Sequence, residues 1–252
     1  MRLYKPVMTS RSNSPFKTVI EMQKILNIWI LAIAFCFSCS DEESIAQSPA
    51  DRRWDFNNLE GWQYAHQDNN PDNQCEISDG ILKIWTRAGS VDRKKVRTEL
   101  NYTTGRYTWR TFISEMGVGD QASIGSWIYH DDQHEIDFEV GYGKATVRTE
   151  LGAAEDDLVA YMTTQANPFK SVPVLIKSGW HLFEIDLTEK GGNYFVQWLI
   201  DGKVVSSVQQ TYGPDFKFSL FCSVENLTFI GDTPASKDNY GLFDYVEYTY
   251  HE

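Results

Sequence analysis

The sequence predicts an all-β fold, a sandwich of two antiparallel sheets. Short runs that alternate apolar and polar residues, such as 81–85 and 194–198, have the period of half-buried strands. Turn-forming Asp-Gly dipeptides at 79–80 and 201–202 are typical of tight hairpins between strands. No stretch after residue 50 has the pattern of a helix of ten residues or more. The roughly 200 residues after that point are enough for one such domain.

The first 39 residues predict a signal segment that ends in a bacterial lipobox. A short basic region is followed by an apolar run at 25–35, which is too short to span a membrane. Cys39 ends this run and is the expected site of lipidation. Residues 1–21 lack a periodic apolar pattern, so Met22 is a candidate for the true start. An ordinary cleaved signal peptide and a membrane anchor helix are the alternatives.

Residues 40–50 are small and polar, as expected for a linker, and residues 51–252 form the predicted domain. The acids at 41–43 resemble a surface-export signal of some Gram-negative lipoproteins, although a solvated tether has the same composition. We therefore expect an outer-membrane lipoprotein on the periplasmic or the cell-surface face. The lipid on Cys39 would be its only contact with the membrane.

The charge balance argues against polyanionic partners. The chain carries 23 basic and 35 acidic residues, and residues 1–39 hold five of the basic and one of the acidic ones. The remainder therefore has 18 basic and 34 acidic residues, a net charge of −16. This excess disfavours nucleic acid and mildly favours a neutral glycan over a sulfated one. A monomer is expected.

The cysteines leave two alternatives open. Cys75 and Cys222 remain after the signal, in a compartment that permits disulfides, and they form either a bridge or two buried thiols. The sequence contains no zinc-type cysteine spacing, no Gly-x-Ser-x-Gly elbow and no phosphate-binding glycine loop.

One predicted strand carries three acids on the same face. Glu135, Asp137 and Glu139 alternate with apolar residues that face the core. The Cα atoms of the two glutamates would lie about 13 Å apart, and inward-reaching side chains would bring the carboxyl groups to about 5 Å. Retaining glycosidases have this separation. An acidic solvent-facing strand or a Ca²⁺ site would show the same residue types.

The pattern of acids resembles the Glu-x-Asp-x-Glu motif of glycoside hydrolase family 16, the laminarinase and lichenase family. Segments 97–110, 179–202 and 242–248 resemble other strands of the family in the same order, so that the likeness covers about residues 54–250. The resemblance implies a concanavalin A-like β-jelly roll with a concave substrate cleft. It also implies that Glu135 is the nucleophile, Glu139 the general acid/base and Asp137 the assisting carboxylate, with no cofactor required.

Four further residues are candidates for substrate binding. Trp127 and Trp109 could each present a flat ring to a sugar, with a place in the core as the alternative. Arg97 and Glu99 alternate on a strand that the resemblance places at the cleft. They are expected either to bind sugar hydroxyls or to pair with each other.

A structural Ca²⁺ site is also implied by the resemblance. Asp244 matches a residue that binds Ca²⁺ in some family members, and the Gly80 carbonyl is a candidate second ligand. An exposed acid at the end of a sheet is the alternative.

Two pairs of residues in segment 179–202 are not assigned to the cleft. We expect Glu184 and Asp186 to lie on the surface, and Trp180 and Trp198 to lie in the core.

The expected function is retaining endo-hydrolysis of a β-linked polysaccharide. A non-catalytic glycan-binding sandwich and a polysaccharide lyase are the alternatives, because the Arg-Thr-Glu-Leu segment at 97–100 also resembles a strand of alginate lyases. The sequence does not identify the glycan, which we expect to depend on loops such as 114–123 and 152–173.

Overall fold

The computed structural model describes residues 50–251, which form fifteen strands and one helix. The predicted signal segment, Cys39 and nearly all of the predicted linker lie outside these residues. The elements are β1 (Arg52–Trp54), β2 (Trp62–His66), β3 (Cys75–Ser78), β4 (Ile81–Thr86), β5 (Arg93–Thr98), β6 (Gly105–Ile113), β7 (Ala122–Asp131), β8 (His134–Gly141), α1 (Ala145–Leu151), β9 (Leu158–Thr164), β10 (Lys170–Ile176), β11 (Gly179–Lys190), β12 (Asn193–Ile200), β13 (Lys203–Gln209), β14 (Ser219–Asn226) and β15 (Asn239–Tyr250).

The strands form two sheets, and every strand pairing within them is antiparallel. The front sheet has the order β10-β9-β8-β7-β14-β5-β2. The back sheet has the order β13-β12-β11-β6-β15-β4-β3, with β1 pairing to β15. The predicted all-β jelly-roll sandwich is confirmed.

The core lies between the two sheets. On β8, Ile136, Phe138 and Val140 are 0–1% exposed, as the alternation predicts. The Phe138 ring packs against Phe183 of the back sheet, with 5.0 Å between ring centroids. Trp198 of the back sheet donates its indole N–H to the Asp137 carbonyl at 3.1 Å. The back sheet thus fixes the position of the strand that carries the three acids.

The predicted Asp-Gly turns form at both expected places. Asp79 and Gly80 have φ of 52° and 75°, and Asp201 and Gly202 have φ of 50° and 75°. Two successive residues with positive φ match the twist of a two-residue hairpin, and glycine adopts this conformation without strain.

Helical structure is minor in the described part of the chain. Its one α-helix, α1, has seven residues, which agrees with the sequence prediction. Among residues 50–251, no helix has the length and apolar character needed to cross a membrane.

Of the two tryptophans assigned to the core, one lies there. Trp198 is fully buried, whereas Trp180 is 39% exposed and packs against Phe112 with Arg110 above its ring. The prediction for Trp180 is wrong because odd-numbered residues of β11, such as Phe183, face the core. Residue 180 therefore lies on the outer face of the back sheet.

The prediction of surface positions for Glu184 and Asp186 is also wrong. Both face away from the core, yet they are only 6% and 8% exposed. The Arg106 guanidinium lies 3.5 Å from Glu184 and 2.9 Å from Asp186, and His251 lies 2.6 Å from Asp186. These long side chains cover the two acids, and burial raises the pKa of Glu184.

Cys75 and Cys222 are two free thiols, of which Cys222 is fully buried. The structure therefore has two thiols that are not joined by a disulfide. Burial raises the pKa of the Cys75 thiol to about 12, so this thiol is unreactive at neutral pH.

Trp109 lies on the core face of β6 and is 0% exposed, so truncation should affect folding. We expect Trp109→Ala to lower the free energy of unfolding by about 3–5 kcal/mol, because the change leaves a large cavity. Trp180→Ala, at the half-exposed position, should lower it by about 1 kcal/mol. Urea unfolding of both variants measures these losses, and equal losses would contradict the core position of Trp109.

Candidate active site

A cleft of about 690 Å³ crosses the outer face of the front sheet. At about 4.8 Å between neighbouring strands, seven strands span about 29 Å, which is long enough for several sugar units. Every strand of the sheet contributes to its lining, with representatives Ala65 (β2), Arg97 (β5), Phe221 (β14), Trp127 (β7), Asp137 (β8), Thr163 (β9) and Ser171 (β10).

The three acids predicted to be catalytic all line this cleft. Glu135, Asp137 and Glu139 occupy the outward positions of β8, near the middle of the sheet. The neighbouring strand places Gly125 opposite Glu139. A Cβ atom at Gly125 would lie 3.0 Å from Glu139 Oε1 and even closer to Ser223 Oγ. The glycine therefore leaves the space that the Glu139 carboxyl group occupies.

Glu135 and Asp137 share a hydrogen-bond donor. The Gln165 side-chain amide donates to Asp137 Oδ2 at 3.0 Å and to Glu135 Oε1 at 3.3 Å. Asp137 is 2% exposed, and burial together with the charges of Glu135 and Glu139 raises its pKa well above the usual range. The raised pKa of Asp137 favours its protonated form, which can donate a hydrogen bond to Glu135.

Burial also raises the pKa of Glu135, but hydrogen bonds from Asp137 and Gln165 oppose the rise by favouring the carboxylate. Glu139 lies in a different environment. Its Oε2 accepts a hydrogen bond from the Ser123 hydroxyl. Burial, followed by the nearby negative charge of Glu225, raises the pKa of Glu139 to about 8. The two glutamates thus differ in the groups around them, and the pKa of about 8 favours a proton on Glu139 near neutral pH.

Two stacked aromatic rings form the floor beside the acids. Trp127 and Phe221 lie parallel within 11°, with 3.9 Å between their centroids. Both line the cleft, and the Trp127 indole N–H donates to Ser223 Oγ at 2.9 Å. The structure therefore places Trp127 where the sequence predicted it. Trp109 is fully buried on the core face of the back sheet, so its prediction as a substrate-binding residue is wrong.

Arg97 lines the cleft, whereas Glu99 does not. Strand β5 ends at Thr98, and Glu99 turns away with its backbone N–H bonded to the Gly61 carbonyl at 2.9 Å. Glu99 is exposed, and no ion pair joins it to Arg97 among the described residues. The prediction that both residues face the sugar is therefore wrong for Glu99, because the strand ends one residue too early.

The predicted calcium ligands lie on the other side of the molecule, in the back sheet and its first hairpin. The Asp244 carboxylate is paired with the Arg110 guanidinium. Residues 50–251 contain no group of three or more His, Cys, Asp or Glu side chains that could hold a metal ion. This side-chain set fits a calcium site poorly, because Arg110 already neutralises Asp244. The Ca²⁺ site at Asp244 and Gly80 stays a prediction.

Several residues that line the cleft or contact the acids were not predicted from the sequence. Gln165 and Ser123 contact the acids, but isolated Gln and Ser residues give no sequence signal. Lys95 and Arg93 lie two and four residues before Arg97, so strand alternation applied to that segment would have found them. Glu225 pairs with both and lies in a segment with no acidic pattern.

Two exposed phenylalanines border the cleft. Phe169, which is 66% exposed, lies in the predicted specificity loop 152–173. Phe229, which is 61% exposed, lies in a turn after β14. No residue of the other predicted loop, 114–123, is among those that line the cleft. Residues of the turn at 227–230 line the cleft instead.

The raised pKa of Glu139 has a consequence for stability. Its folded-state pKa of about 8 lies above the ordinary carboxyl pKa of 4.5, so the group stabilises the fold below about pH 4.5. That contribution is lost as pH rises to about 8. We expect Glu139→Gln, which cannot ionise, to gain stability relative to the wild type between about pH 5 and pH 8. Urea unfolding of both proteins across this range tests it, and a constant difference would contradict the raised pKa.

No protein-family model and no curated protein matches the chain. Solved structures do match. A β-glucanase from Bacillus licheniformis has a TM-score of 0.56 and 16% identity, covering 81% of this chain and 100% of that chain. A Crh5 transglycosylase in complex with NAG has a TM-score of 0.60 and 14% identity, covering 81% and 86%. A β-1,3-glucanase from Mycobacterium marinum has a TM-score of 0.57 and 16% identity, covering 80% and 99%. The chain thus has the β-jelly-roll fold of these proteins, which is the fold that the resemblance to glycoside hydrolase family 16 implies.

Proposed function

We propose that this protein is a glycoside hydrolase of the family 16 type that cleaves a β-linked polysaccharide internally and with retention of configuration. One observation carries the proposal. Glu135 and Glu139 lie on the same strand in a long cleft, on either side of the buried Asp137. Hydrogen bonds to Glu135 oppose the rise of its pKa, whereas burial and the charge of Glu225 raise the pKa of Glu139 to about 8. Two carboxyl groups in different surroundings are what glycosidic cleavage requires.

Glu135 is the nucleophile because hydrogen bonds from Asp137 and Gln165 stabilise its carboxylate. It attacks the anomeric carbon while Glu139 gives its proton to the departing glycosidic oxygen. The bond between that carbon and oxygen breaks, and a glycosyl-enzyme ester forms on Glu135. Glu139, now ionised, takes a proton from water, whose oxygen displaces Glu135 from the anomeric carbon.

The length of the cleft supports attack within a chain rather than at its end. Lining residues from all seven front-sheet strands offer contacts on both sides of the catalytic strand, which has two neighbours on one side and four on the other. The stacked Trp127 and Phe221, which are 7% and 5% exposed, present apolar ring edges to the cleft. The solved structures of like fold include β-glucanases, which supports a β-glucan as the first substrate to assay.

A transglycosylase also has this fold, so the acceptor of the glycosyl group is open to experiment. When a sugar hydroxyl replaces water in the second step, the same residues perform transfer instead of hydrolysis.

Single carboxyl replacements test the assignment. We expect Glu139→Gln to lower kcat/KM by about 10²–10⁴, the usual contribution of a general acid/base. Glu135→Gln should lower it by about 10⁴ or more, because no covalent intermediate can form. Reducing-end release from laminarin, mixed-linkage glucan, xyloglucan and agarose measures activity, and proton NMR of the first product reports retention. Ser78→Ala, on the back sheet, is the matched control.

Other results would contradict the hydrolase. A wild type that binds these glycans without cleaving them would be a glycan-binding sandwich. An unsaturated product that absorbs ultraviolet light would identify a lyase instead. An inverted product would refute the covalent step while retaining the two acids.

We also propose that the protein is an outer-membrane lipoprotein held by acylated Cys39. The basic and apolar residues that precede Cys39 support this placement. Mass spectrometry of the mature N-terminus in a Gram-negative host should find a lipid on Cys39. An unmodified N-terminus at another residue would refute the anchor.

A further inference from the structure

Strand β5 presents three cations to the same side of the cleft. Arg93, Lys95 and Arg97 occupy alternate positions of the strand, and all three line the cleft. They lie in a protein whose sequence carries a formal net charge of −12. A row of cations in the substrate groove of an acidic protein calls for a local explanation.

Carboxyl groups of the site lie close to two of these cations. Glu225, which is 2% exposed, lies 2.5 Å from Arg93 Nε and 2.8 Å from Lys95 Nζ. Lys95 also lies 3.0 Å from the side-chain oxygen of Gln67, and its charge acts on Glu135 and Glu139. Arg93 and Lys95 are therefore opposed by carboxyl groups, which leaves Arg97 to be explained.

Arg97 has no acidic partner among residues 50–251. With the Gln63 amide oxygen turned towards the guanidinium, that oxygen accepts from Nη2 at 3.0 Å and from Nε at 3.3 Å. This contact holds the side chain but supplies no negative charge. The half-buried guanidinium therefore keeps an uncompensated charge beside the groove.

Arg97 also lies in line with the catalytic strand. The strand register pairs Arg97 with Phe221, Phe221 with Trp127, and Trp127 with Asp137. Three strand spacings separate the ends of this row, a distance of about 14 Å. A glycan lying along the row would cross the stacked aromatic rings and bring a sugar unit to Arg97.

We propose that Arg97 forms a subsite for an oxyanion substituent, a carboxylate or a sulfate, on the glycan that this cleft cleaves. The proposal rests on the hydrolase function above and narrows its substrate to an anionic polysaccharide. A guanidinium donates parallel hydrogen bonds that match the two oxygens of such a group. The proposed subsite reverses the expectation of a neutral glycan, because the net charge of the chain does not report the charge inside a groove.

A matched set of glycans tests the subsite. Laminarin, carboxymethyl-laminarin and sulfated laminarin share one backbone and differ in the substituent, and agarose with carrageenan gives a neutral and a sulfated galactan. We expect the wild type to cleave a charged member with at least about tenfold higher kcat/KM than its neutral counterpart. Comparison of the carboxymethyl and sulfate arms identifies the oxyanion.

Variants assign the preference to one side chain. Arg97→Gln should lower kcat/KM on the charged glycan by about tenfold to a hundredfold more than on the neutral one. Arg97→Lys, which keeps the charge but not the fork, should give an intermediate loss. Arg53→Gln removes the same charge on strand β1, far from the groove, and should change neither substrate.

The outcomes separate the subsite from the hydrolase. Equal cleavage of charged and neutral glycans, or equal losses on both in Arg97→Gln, would overturn the subsite while the hydrolase stands. If no glycan is cleaved, the proposed function fails. Calorimetry of the charged oligosaccharides then decides the subsite alone, and binding that does not depend on Arg97 would overturn it.

Discussion

The crowding of three carboxyl groups on one strand is the constraint on which the site depends: Asp137 is buried, and Glu135 and Glu139 are half-buried. A buried carboxylate is costly unless it is paired, hydrogen-bonded or neutralised. The raised pKa of Asp137 favours its protonated form, Glu135 accepts a hydrogen bond from Gln165, and Glu139 accepts one from the Ser123 hydroxyl and has its pKa raised to about 8. The same contacts that make this burial tolerable give the two glutamates different surroundings.

The back sheet supports this arrangement from the other side. Phe138 and its neighbours anchor the inner face of β8, and the Trp198 indole bonds the backbone at Asp137. A strand fixed in this way cannot slip by one residue without moving the acids into the core. The core of the sandwich therefore determines where the carboxyl groups project, although it takes no part in the chemistry.

Strand alternation explains both what the sequence could predict and what it could not. The outward face of the acids, the inward face of Phe138 and the Asp-Gly hairpins follow from local patterns of period two and from turn chemistry. The burial of Glu184 and the position of Glu99 outside the cleft do not follow from these local patterns. They depend on a covering arginine from a neighbouring strand and on where β5 ends.

The residues that contact the acids also could not be predicted from local patterns. Gln165 and Ser123 become neighbours of the acids only through the pairing of β8 with β9 and β7, which no single strand encodes. Trp127 and Trp109 are equally aromatic in the sequence, and only their places in opposite sheets separate cleft from core. Net charge likewise does not describe the groove, because it sums over the whole chain and the basic face of β5 is a small part of it.

The absence of a side chain at Gly125 keeps open the space beside the Glu139 carboxyl group. A Cβ atom at that position would overlap Ser223 Oγ and lie 2.9 Å from the Trp127 ring and 3.0 Å from the Glu139 carboxyl group, so that the Ser223 hydroxyl and the Trp127 ring would have to move and the carboxyl group would be crowded. Glycine and alanine codons differ by a single nucleotide. A single base change would therefore disturb the surroundings of Glu139 while the rest of the groove stays in place.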